Sequence, residues 1–187
     1  YPLLDISWNH KEGFNMATGS FTNNAPCGFR YLNAAAYAEL GFIVVNIFGR
    51  GTSSRHRAFS ADPNPELPTS NNQKDRVAAI RQLAQRYPYI DLDRVGAGGG
   101  FMSTSVAVSG LLGEPDFYKV GVSDSAVMDL RIAPAFWGES YAGLPSSADT
   151  RQPVHELAPN LQGKLLLMNG MLDKQISAVF RLVETLQ

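Results

Sequence analysis

Short β-branched, apolar runs alternate with longer helical stretches along this chain, and that alternation limits its possible folds more than any other feature. Gly41 to Ile47 (GFIVVNI) is apolar on both faces and predicts a buried strand. Arg94 to Ala97 (RVGA), Tyr118 to Ser123 (YKVGVS) and Lys164 to Met168 (KLLLM) predict three more. Helical patterns lie between them. Tyr31 to Leu40 carries good helix formers and runs into Gly41, a natural stop. Asn72 to Tyr87 places Val77, Ile80 and Ala84 on one face with Leu83 beside them, and Pro88 ends it. Phe101 to Leu112 reads as a buried helix, and Ala178 to Gln187 begins another. The polar stretch from Gly49 to Thr69 predicts a long surface loop. Strands separated by helices imply the α/β class, a doubly wound and mostly parallel sheet with helices on both faces.

At 187 residues the chain predicts one domain, and 44% apolar residues suffice for a core. The net charge of -1 gives no bulk attraction to nucleic acid or anionic membrane. The one basic group, Arg50, Arg55 and Arg57 around His56, reads as solvated or ion-paired surface rather than a phosphate site. No apolar run approaches the roughly 18 residues of a membrane span, and the first residues lack a signal-peptide pattern. Cys27 is the only cysteine, so it forms no internal disulfide and no CxxC metal site. It reads as a buried or loop residue. The chain opens on Tyr1 rather than Met, which predicts a fragment or processed form. No internal repeat is present.

In open α/β sheets functional groups gather at the carboxyl ends of the strands. Three places qualify: the loop after Ile47, the glycine turn after Arg94 and Val95, and the segment from Asn169 to Asp173. The turn, GAGGGF from Gly96, has two uses. A dinucleotide fingerprint needs a small residue at its sixth position, where Phe101 stands, and it normally opens its domain. The other use is the G-x-S-x-G nucleophile turn of α/β hydrolases. The turn is in the right place, but that motif occurs nowhere in the chain. The nearest serines, Ser103 and Ser105, fall inside the predicted helix and read as buried or capping hydroxyls.

Four runs, in order, resemble one family. AELGFIVVNIFGRGTSSRHRAF is similar to a strand and G-R-G-T loop, and DRVG, GGGFM and PDFYKVGVS to a nucleophile region. ESYAGLP resembles an E-R-Y-M-G-L-P signature, and LQGKLLLMNGMLDKQI the strand and loop that carry a triad acid. The family is the prolyl oligopeptidase (S9, dipeptidyl-peptidase-IV-like) catalytic domain, and the likeness spans Ala38 to Gln187. Residues 1–30 match poorly. The resemblance implies an α/β-hydrolase fold and a serine-type hydrolase acting on a peptide, or on a small amide or ester, by acyl transfer. It implies no metal and no organic cofactor. Family members often carry a β-propeller; nothing here reads as propeller blades, so residues 1–187 are expected to be a single catalytic domain. A homo-oligomer stays open.

By the same resemblance Asp173, three residues beyond Gly170, is the triad acid, which orients an imidazole and stabilises its charged form. Gly98 and Gly99 supply turn N–H groups for an oxyanion. The apolar pocket for the residue before the scissile bond falls at Val127, Leu130, Ala133 and Trp137. Two aromatics that flank proline in the family are here Ala133 and Trp137, so one flat face remains and strict post-proline cleavage is not implied. Glu139 aligns with a family glutamate and receives no role. The expected chain order is serine, acid, histidine. His10, His56 and His155 all precede Asp173 and read as surface or loop residues. After Asp93-Arg94-Val95-Gly96 only Ala97 precedes the glycines, where the family has a serine-bearing segment. The expected explanation is that this sequence lacks short stretches the protein has. The competing one is a pseudoenzyme that keeps the fold as a binding module. An esterase on the same fold is a further alternative.

Overall fold

A computed structural model describes residues 1–7, 34–52, 56–60, 71–98, 102–125, 128–129, 132 and 153–187. Among these residues five strands form one sheet: β1 (Leu3–Asp5), β2 (Ile43–Val45), β3 (Val95–Ala97), β4 (Val120–Asp124) and β5 (Lys164–Met168). Their spatial order is β2-β1-β3-β4-β5, and every pairing is parallel. The helices are α1 (Ala34–Glu39), α2 (Arg57–Ser60), α3 (Asn71–Arg86), α4 (Met102–Gly113) and α5 (Ile176–Leu186). Short 3₁₀ turns at Leu92–Arg94 and Val154–Asn160 lead into β3 and β5.

All four expected strands are present, with trimmed ends that have local causes. Phe42 still belongs to the turn after α1, because its N–H donates to Tyr37 O. Gly41 makes that turn in the left-handed region, at φ +90°. Ile47 has left the ladder, its N–H held by the Ser7 hydroxyl instead. Tyr118, expected in a strand, closes the turn after α4, with its N–H on Glu114 O. The final helix starts at Ile176 rather than Ala178. Part of the expected loop from Gly49 to Thr69 winds into α2.

The strand absent from the sequence reading is β1. Three residues are too few to display an alternation, and tertiary context makes the strand. Leu3 pairs with Ile43 on one side and Val95 on the other, so β1 lies inside the sheet.

Leu3, Val45, Val95 and Ala97 pack on Val77 and Ile80 of α3 and on Ala107 and Leu111 of α4. A second core joins Val108 and Leu112 of α4 to Val154, Ala158 and the Ala178, Val179 and Leu182 face of α5. Helix α4 therefore divides between two cores, as its lack of a polar face predicts. Gly110 lets α4 pack closely here, since a Cβ there would run into Gln73 Nε2 and lie 3.1 Å from the Tyr118 ring. The right-handed crossover rule places α1 on the opposite face from α3 and α4. No helix among the described residues is long and apolar enough to cross a membrane.

Candidate active site

The strand order reverses direction at β1 and β3, the topological switch point of this sheet. In open α/β sheets, ligands bind in the crevice outside the carboxyl ends of the strands at that point. The residues there are Asp5 at the end of β1, Ile6 and Ser7 just after it, and Gly98 after β3.

Gly98 follows Ala97, the last residue of β3, and its N–H donates to Asp5 O at 3.0 Å. An added Cβ would meet Val122 at an ordinary 3.6 Å, so packing does not demand glycine here. Gly99 lies outside the described residues, as do Val127, Leu130, Ala133 and Trp137. Ser103 and Ser105 fall on the backbone of α4, as expected.

Asp173 lies beyond β5, in the turn before α5, and is half-buried. Its N–H donates to Gly170 O at 3.0 Å, and its carbonyl accepts from Ile176 N–H at 3.1 Å. Its Oδ1 accepts the Gln175 N–H at 2.8 Å, which fixes the carboxylate against the start of α5. Gly98 and Asp173 thus stand at the carboxyl ends of β3 and β5, with β4 between. Adjacent strands are about 4.8 Å apart, so the two exits are separated by about 10 Å across the sheet. At the end of β4, between them, Ser125 takes φ 58°, a conformation uncommon for a residue with a side chain.

The loop after β2 is held by α3. Arg50 makes a bidentate pair with Asp75, at 2.7 Å for Nη2 to Oδ1, and its N–H donates to Oδ2. Asn72 Nδ2 donates to Arg50 O at 2.9 Å. The hydroxyl of Thr52 donates to Gly49 O at 2.8 Å. The guanidinium of Arg50 holds the Asp75 carboxyl below its ordinary range. Arg50 is therefore an ion-paired surface residue, one of the two readings the basic group allowed. His56 Nδ1 accepts the Phe59 N–H, and His155 lies on the turn Val154–Asn160.

Among the described residues, a buried polar cluster beside the switch point was not legible beforehand. Asp5, Arg76 and Tyr118 are each at most 1% exposed. Asp5 Oδ2 lies 3.2 Å from Arg76 Nε and accepts the Tyr118 hydroxyl at 2.8 Å. Asp5 Oδ1 accepts from both the N–H and the hydroxyl of Ser7. Arg76 Nη2 also donates to the Tyr118 oxygen at 3.2 Å. Burial pushes the Tyr118 phenol well above its ordinary range, against the pull of Arg76. The one trace of this cluster in the sequence is Arg76 itself, beside Val77 and one turn before Ile80 on the apolar stripe of α3.

A sequence profile described as the prolyl oligopeptidase family matches residues 27–187. Human dipeptidyl peptidase 8 is 28% identical over 160 residues, which cover 82% of this chain and 18% of that protein. The rat protein named inactive dipeptidyl peptidase 10 is 27% identical over 107 residues, 55% of this chain and 13% of that one. Among solved structures, dipeptidyl peptidase 4 of Porphyromonas gingivalis superposes with a TM-score of 0.75 at 21% identity. That superposition covers 100% of this chain and 26% of the other. The chain thus spans less than a fifth of the length of these curated relatives.

Proposed function

The chain belongs to the prolyl oligopeptidase family, and from that membership we propose that it is the α/β-hydrolase domain of a serine-type peptidase cleaving peptides or peptide-like amides by acyl transfer. The observation that carries the reading is the family match over residues 27–187, which includes the strand and turn bearing Asp173. In this mechanism a serine, which the turn Gly96 to Phe101 of this sequence does not contain, would stand beside Gly98 and attack the carbonyl. A histidine other than His10, His56 and His155 would take the serine proton as general base and return it to the leaving amine as general acid. Asp173 orients that histidine. The expected oxyanion donors at this turn are Gly98 and Gly99; the Gly98 N–H is engaged by Asp5 O within the sheet, so the donor role passes to the turn beyond it, where the family resemblance puts Gly99. By the family resemblance, Val127, Leu130, Ala133 and Trp137 correspond to the apolar pocket for the residue before the scissile bond, Trp137 being the one flat side chain among them.

One observation favours a second reading. No serine occurs between Ser70 and Ser103, so the turn as written has no nucleophile. On that reading the domain binds peptide without cleaving it, and the likeness to a relative named inactive agrees with this.

A fluorophosphonate that acylates activated serines separates the two. Saturable, covalent labelling of the purified protein, prevented by prior heat denaturation, is the expected result. A folded protein that stays unlabelled yet binds peptides would establish the binding module instead.

A further inference from the structure

We propose that Ser7, carried by the buried carboxylate of Asp5, is a positioning residue that sets the geometry of the sheet's carboxyl edge at its switch point. The assignment of catalytic purpose to that edge rests on the peptidase reading; the geometric role does not.

The ladder between β1 and β2 ends where the chain must open a crevice. Ile6 N–H still donates to Val45 O at 3.0 Å, a main-chain bond. Two residues on, Ile47 N–H finds no main-chain partner on β1 and donates to Ser7 Oγ at 2.8 Å. A side chain reaches further than a carbonyl, so this bond lets the two strand exits part while Ile47 stays anchored. The hydroxyl can serve as acceptor in a fixed direction because its own proton is directed to Asp5 Oδ1. Asp5 is held in turn by Ser7 N–H, the Tyr118 hydroxyl and Arg76.

The same residue reaches the next exit through its main chain. Asp5 O accepts the Gly98 N–H at 3.0 Å, at the start of the glycine turn. Asp5 therefore ties together the exits of β1, β2 and β3, reaching Ile47 through the Ser7 hydroxyl and Gly98 through its own carbonyl. Helix α3 closes the arrangement, because Arg76 holds Asp5 while Asn72 and Asp75 hold the loop after β2. An apolar residue at position 7 could fill the space but could not direct an acceptor at Ile47 N–H. Its loss would be felt at that amide first.

The test compares Ser7→Ala with Ser7→Thr, which keeps the hydroxyl, in the full chain by amide hydrogen exchange. Ser7→Ala should speed exchange at Ile47 by about tenfold while amides in α3 and α4 keep their rates, and Ser7→Thr should restore protection. Unchanged exchange at Ile47 would overturn the proposal. So would an equal acceleration in α3 and α4, the mark of general destabilisation. Phosphonate labelling of the same variants is read separately. If the unsubstituted chain does not label, the peptidase reading fails while exchange at Ile47 still decides the role of Ser7. If it labels and Ser7→Ala does not slow it, the edge is positioned without Ser7, and the proposal fails at the site.

Discussion

At the scale of single residues, Arg76 is the most consequential side chain described. It places a guanidinium with no exposed surface in the core beside Asp5. Removing one partner of a buried ion pair leaves the other charged and unpaired, which costs about 3–5 kcal/mol. Arg76→Met should therefore lower the unfolding free energy by about that amount, despite a good fit to the apolar stripe. Urea denaturation measures it; a loss below about 1 kcal/mol would mean that Asp5 is satisfied by Ser7 and Tyr118 alone. Tyr118 adds a pH signature. Its folded pKa is raised, so the folded protein keeps the proton where an unfolded phenol, near pH 10, releases it. The stabilisation is complete below about pH 10 and falls as pH rises above that value. Phenolate absorbance from Tyr118 should appear only with unfolding, and Tyr118→Phe should flatten the alkaline fall in stability. Ionisation of Tyr118 in the native protein would refute this.

At the scale of elements, strand β5 is held at its start by close backbone contact. A Cβ on Gly163 would lie 2.5 Å from Lys119 O, and main chain cannot rotate aside as a side chain can. Gly163→Ala should cost about 1–3 kcal/mol through forced displacement of β5 from β4. A thermal melt reads this, and a neutral substitution would show that the strand start yields freely. The elements themselves divide by length. Helices α3 and α5 were legible because each runs long enough to repeat an apolar face. Strand β1 was not, because a three-residue strand is made by its neighbours.

At the scale of the molecule, α4 joins both cores, burying Ala107 and Leu111 in one and Val108 and Leu112 in the other. Neither core can lose its packing while α4 keeps its place. Unfolding followed by far-ultraviolet and near-ultraviolet dichroism should therefore give a single coincident transition. Two separated transitions would mean that α5 and its partners form an independent unit.

The sequence by itself determined the class of fold, because the period of apolar residues distinguishes strand from helix and their alternation dictates a parallel sheet. It also determined where Asp173 and Gly98 fall, since each follows a strand that the pattern marks. Family membership was legible for a related reason: its motifs are local runs with their residues adjacent in the chain. The switch point and the buried cluster around Asp5 were decided only by tertiary structure. Asp5, Arg76 and Tyr118 are far apart in the chain, and only Arg76, set on the apolar stripe of α3, hints at burial. They become a site when the strand order brings β1 between β2 and β3 and lays α3 across it. Pairing of distant polar groups depends on that folded geometry, whereas local periodicity is already present in the unfolded chain.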